Sequence, residues 1–83
     1  MTSTIEISLY PLNNEYTTSV LRFLRKLKGC EGVEIQTNGM STVIIGEFTN
    51  VWNQLGRLME WQLAQEDCVV VMKVASGRRE YLE

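Results

Sequence analysis

The chain has no histidine, a single proline and only two cysteines. Without histidine it lacks the one side chain whose ordinary pKa lies near neutrality, and with it the commonest metal ligand. No serine or cysteine has an imidazole base to activate it, and no glycine-rich phosphate loop is present. No catalytic constellation is visible, so the expectation is a protein that is not an enzyme and carries no cofactor or metal. Cys30 and Cys68 have neither zinc nor redox spacing and do not make a secreted disulfide framework; they read as reduced thiols. Positive charge is also short: 8 Lys and Arg against 10 Asp and Glu leave a net charge of −2. That balance argues against a nucleic acid or an anionic membrane as partner. No apolar run approaches the roughly 20 residues that span a bilayer. The opening Met1-Thr2-Ser3-Thr4 has no signal-peptide character. A soluble, cytoplasmic, single domain over residues 1–83 is expected.

What is present is regular patterning. The stretch Gly39 to Glu47 dominates it: Val43, Ile44 and Ile45 are β-branched and uninterrupted, which predicts a strand. Asn38-Gly39 just before it predicts a tight hairpin with both central residues at positive φ. Thr49 just after it is an expected helix N-cap. Upstream, Thr4 to Leu12 alternates, with Ile5, Ile7 and Leu9 opposed to Glu6, Ser8 and Tyr10, and Pro11 marks the strand's exit. Asn13 or Asn14 is suited to cap a helix whose apolar stripe is Tyr16, Val20, Phe23, Leu24 and Leu27. Arg22, Arg25, Lys26 and Lys28 fall toward its C-terminal end, and Gly29 suits a left-handed stop.

Val33 to Thr37 alternates again and predicts the partner strand of the hairpin. A two-residue loop would set Thr37 opposite Met40 and Ile35 opposite Thr42; a longer loop would alter the pairing while keeping the same face buried. A second helix is expected from Thr49 to about Gln65, with Val51, Trp52, Leu55, Leu58, Met59 and Leu63 on one face and Trp61 off it. Cys68 to Ala75 predicts the last strand, with Cys68, Val70, Met72 and Val74 inward. The residues from Ser76 onward read as a polar tail in which Arg78 and Arg79 have no clear partner.

The order β-α-β-β-α-β is that of a split βαβ, α+β ferredoxin-like sandwich: a four-stranded antiparallel sheet, spatial order 4-1-3-2, with two helices on one face. The other face would carry Val43, Ile45, Val69 and Val71. An open antiparallel face normally turns polar, so these residues are the expected interface of a homodimer or homotetramer.

Ile7-Ser8-Leu9-Tyr10-Pro11-Leu12, then Gly39-Met40-Ser41-Thr42-Val43-Ile44 with Gly46-Glu47, then Lys73-Val74, occur in an order and spacing that resemble the thiamine-binding, YkoF-like family over nearly the whole chain. The chain departs from that pattern at Gly39, Ser41 and Ile45, where proline, glycine and an acid are common. The resemblance implies a ferredoxin-like, self-associating protein that binds thiamine or its hydroxymethylpyrimidine part. An aminopyrimidine asks for a carboxylate or carbonyl, a hydroxyl or backbone donor, and an apolar or aromatic wall. The candidate ligand residues are Tyr10, Asn38, Met40, Ser41, Thr42 and Glu47. The alternatives are an ACT-like regulatory domain sensing another small metabolite, or an assembly protein without a ligand.

Overall fold

Alternating strands and amphipathic helices assemble as expected in the computed structural model, which describes residues 1–80. The chain runs β1 (Thr2–Pro11), α1 (Tyr16–Lys28), β2 (Glu34–Thr37), β3 (Thr42–Glu47), α2 (Phe48–Gln65) and β4 (Cys68–Ser76). The sheet order is β2-β3-β1-β4, and each neighbouring pair is antiparallel. This is the ferredoxin-like α+β sandwich. Ile5, Ile7 and Leu9 of β1 and Ile44 of β3 meet Phe23 and Leu27 of α1 and Val51, Leu55 and Leu58 of α2 in one core. Each such side chain contributes about 1.5–3 kcal/mol by leaving water, so this cluster outweighs any single polar contact. Among the described residues, no helix is long and apolar enough to cross a membrane.

Local signals were less faithful than the periodicity. The hairpin pairs Thr37 with Thr42 and Ile35 with Ile44, so four residues, Asn38 to Ser41, form the loop. The Asn38 carboxamide oxygen accepts from the N–H groups of Met40 (2.7 Å) and Ser41 (3.1 Å). This Asx-type turn replaces the predicted tight one, and no residue in the loop has positive φ. The register moves by an even step, so the buried face is unchanged.

Helix starts and stops also shift. Glu47 rather than Thr49 occupies the cap position of α2, with no side-chain cap bond, and the Phe48 N–H donates to the Met1 carbonyl at 2.8 Å. Glu15 rather than an asparagine precedes α1; Asn13 instead accepts from the Glu15 N–H at 2.7 Å. Gly29 stays right-handed at φ −81°, and the left-handed residue comes later, at Gly32 with φ 70°.

The largest departure is on the open face. Val43, Ile45, Val69 and Val71 do share it, but Ile45 is buried and Val43 half-buried, while Val69 and Val71 are exposed. Residues 77–80 fold back across the β1–β3 end of this face. Thr4 Oγ1 donates to the Gly77 carbonyl (2.8 Å) and accepts from the Arg79 N–H (2.9 Å). The expectation that Arg78 has no partner is corrected: its guanidinium forks onto Glu34 (2.6 and 2.9 Å) and also binds Glu80. Those bonds hold the Glu34 and Glu80 carboxyls below their ordinary range. Ile45 is thereby covered by the chain itself and withdrawn from the surface expected to meet a partner.

Candidate functional site

A cavity of about 110 Å³ lies where the C-terminal part of β1, the loop Asn38 to Ser41 and the start of α1 converge. Five of the six residues expected to bind a ligand line it: Tyr10, Asn38, Met40, Ser41 and Thr42. Glu47 does not. It ends β3 opposite Thr2, at the far end of the strand from Thr42, and five steps of an extended chain separate them by roughly 16 Å.

The cavity exists because β1 outruns its neighbour. β1 pairs with β4 as far as Pro11↔Cys68 but with β3 only as far as Ile7↔Thr42. Backbone groups of successive strand residues point to alternate sides. Leu12 N–H donates to the Asp67 carbonyl and Gly77 N–H to the Thr2 carbonyl, so even-numbered residues of β1 serve the β4 side. Leu9, being odd, directs its N–H and C=O into the gap beyond Ile7, where, among the described residues, no strand lies beside them. The result is a donor and an acceptor side by side on one extended residue, at the wall of the cavity.

Around that edge the side chains are mixed. Phe23, Val20 and Leu24 form the apolar floor, and Tyr10 and Tyr16 stand at its borders, both largely exposed. The hydroxyls of Thr37 and Thr42 share a hydrogen bond at 3.1 Å. Ser41 Oγ donates to Glu6 Oε2 at 3.2 Å, and Lys73 Nζ lies 3.7 Å from Glu6 Oε1. Met40 is 88% exposed at the loop tip, beside the opening. Asn38 has spent its carboxamide oxygen on its own loop, so its role here is to shape the turn.

Sequence reasoning missed Leu9 and Tyr16 in the cavity lining, and Glu6 as the partner of Ser41. Leu9 was assigned to the core by its side chain, and the backbone edge depends on unequal strand lengths that no local pattern reveals. Tyr16 was counted in the helix stripe, although its place at the first position of α1 left it beyond the packed turns. Glu6 carried a visible signal: it sits on the same sheet face as Ser8 and Tyr10.

No protein-family model matches the chain, and no curated protein resembles it significantly in sequence. Solved structures resemble it in fold. A Thermotoga maritima protein provisionally assigned to thiamine biosynthesis or salvage superposes with a TM-score of 0.81 at 15% identity, covering 93% of this chain and 85% of its own. A Streptococcus pneumoniae protein gives 0.83 at 20% identity, covering 94% and 89%. A domain of unknown function from Bacillus cereus, DUF77, gives 0.73 at 16% identity, covering 93% and 77%. The likeness is one of fold. At these identities it establishes the ferredoxin-like sandwich and carries no residue roles across.

Proposed function

We propose that this chain is a non-catalytic small-molecule-binding protein that takes thiamine, by its hydroxymethylpyrimidine part, in the cavity beside β1, and works as a homo-oligomer. The observation that carries the reading is the free Leu9 backbone edge. An aminopyrimidine presents an amino donor next to a ring-nitrogen acceptor, the complement of an N–H and C=O on one extended residue. Tyr10 and Tyr16 supply aromatic borders, Phe23 an apolar floor, and Ser41 a hydroxyl. The size supports the fragment over the whole vitamin. Sites that enclose drug-sized ligands run to about 300–1,000 Å³, so the ring enters and the remainder projects past Met40. The provisional assignment of the Thermotoga maritima protein to thiamine biosynthesis or salvage agrees in chemistry.

The test is thermal unfolding with hydroxymethylpyrimidine, thiamine and a panel of amino acids. The first two are expected to raise the melting temperature with concentration as ligand linkage requires, and Ser41→Ala or Tyr10→Ala to reduce the rise several-fold. Glu47→Gln is expected to leave it intact, since Glu47 sits at the other end of β3. A rise with amino acids alone would replace this reading with the ACT-like one.

Self-association is assigned to the uncovered part of the open face, where Tyr10, Val69 and Val71 are each about half exposed. A two-fold axis there sets like residues opposite one another. Val71→Asp is therefore expected to split the assembly by bringing two carboxylates into a dry contact. Light scattering from nanomolar to high-micromolar concentration reads it. A wild type of one-chain mass throughout overturns the assignment.

A further inference from the structure

A second concavity lies on the helical layer, remote from the cavity beside β1. Its first lobe, about 370 Å³, is lined by Lys26, Cys30, Gln54, Arg57, Leu58 and Trp61. A second lobe of about 310 Å³ continues past Arg57 and Trp61 to Glu60 and Ala64. Both depressions are lined by Arg57 and Trp61, and their α2 residues run from Gln54 to Ala64, a length of roughly 15 Å at 1.5 Å per residue. Trp61 is half-buried, and Lys26 Nζ sits 4.5 Å from its ring centroid. Among the described residues neither Lys26 nor Arg57 has a carboxylate within ion-pair distance. Arg25 and Lys28, equally without ion pairs, flank Lys26 on α1.

We propose that this groove docks a linear acidic segment of a partner protein, an apolar side chain of that segment seating against Leu58 and Trp61 between carboxylates that meet Lys26 and Arg57. Three features choose this occupant. Among the described residues Lys26 and Arg57 have no ion pair, and Glu60 is the one acidic side chain lining either lobe, so cations outnumber acids there. The two depressions lie side by side along α2 with Arg57 and Trp61 common to both, a spread that a peptide can span and a single small anion cannot. Tryptophan and arginine, here Trp61 and Arg57 lining both lobes, are the residues enriched in interface hot spots. The stacked Lys26–Trp61 pair also holds both side chains ready for a partner, so little further ordering is required on binding.

Trp61 reports on its own occupancy once Trp52 is replaced. Trp52 stacks on Phe48 at 5.6 Å, outside the groove, so Trp52→Phe leaves a folded single-tryptophan protein. The probe is an acetylated, amidated peptide Glu-Leu-Glu-Glu-Leu-Glu, and the control has lysine at each glutamate. Saturable change in Trp61 emission with the acidic peptide alone is expected. Lys26→Ala and Arg57→Ala, both at solvent-exposed positions, are each expected to weaken it at least about fivefold. In 1 M salt, where the Debye length falls to about 3 Å, the signal should be lost. No saturation at millimolar peptide, equal binding of the lysine peptide, or unchanged affinity in both variants overturns the proposal. Displacement of the peptide by equimolar inorganic pyrophosphate overturns it too, because the groove would then be a small-anion subsite.

Discussion

Phe23→Ala is expected to lower the unfolding free energy by about 3–5 kcal/mol, the usual cost of removing a buried ring. For a domain of this size each kcal/mol moves the melting temperature by about 4–8 °C, so a fall of roughly 12 °C or more is anticipated. The reason is position as much as size. Phe23 is 2% exposed and belongs to the single core that joins both helices to the sheet. Its ring also forms part of the cavity wall, so truncation enlarges a space that already exists and that neighbours cannot collapse to fill. Leu21, two residues earlier on the same helix, is 47% exposed, and Leu21→Ala is expected to cost no more than about 0.5 kcal/mol. Urea denaturation of both variants separates the two cases. A Phe23→Ala midpoint as close to wild type as that of Leu21→Ala would mean the core is not centred where the packing puts it.

The alternation of Ile5, Ile7 and Leu9, and of Ile44 against Val43, was enough to order the sheet and choose its buried face. Side-chain period in a strand is fixed by the backbone and survives an error in loop length, as the four-residue hairpin loop demonstrates. Helix faces were read almost as well. Leu55, Leu58 and the next inward turn form one line along α2, but the inward residue is the buried Gln62, whereas Leu63 is 56% exposed. Hydropathy chose the leucine; geometry chose the glutamine, whose amide reaches Glu66 at 3.0 Å. Ile45 failed for a different reason. Its face was right, and what covers it is a segment from the far end of the sequence, tied down by Arg78 to Glu34. A contact of that range leaves no periodic trace. The side chains that line the cavity from the hairpin loop could be named from the sequence; the Leu9 backbone beside them could not, since it passes the end of the β1–β3 pairing only because β3 stops at Thr42. Glu47 was grouped with the site as the carboxylate an aminopyrimidine asks for, although the extended strand carries it to the far end of β3, opposite Thr2.

Acid is expected to loosen the junction between the two helices at a point that hydropathy gave no reason to notice. The Glu66 carboxylate, 9% exposed, accepts from Ser19 Oγ at 2.5 Å, Arg22 Nη2 at 2.7 Å, Gln62 Nε2 at 3.0 Å and Asn13 Nδ2 at 2.6 Å. These donors, the Ser19 hydroxyl foremost and then the Arg22 guanidinium, hold its pKa down to about 2 from an ordinary 4.5. They tie the start of α1 to the end of α2 and the turn into β4. A folded-state pKa below the unfolded one means that the unfolded chain takes up the proton first. The stabilisation is therefore complete above about pH 4.5 and drains away as the pH falls toward 2. Glu34 and Glu80, lowered in the same direction by Arg78, add to the loss. Their bonds to Arg78 are solvent-exposed and screened, so their share should shrink with salt. Glu66→Gln removes the charge while keeping the shape. It is expected to be less stable than wild type at pH 7, and the gap should close progressively below pH 4.5 as wild type loses what the variant never had. Unfolding midpoints for both proteins at pH 7, 4, 3 and 2 in 0.5 M salt measure this directly. Two curves that run parallel down to pH 2 would show that Glu66 bears no part of the acid response.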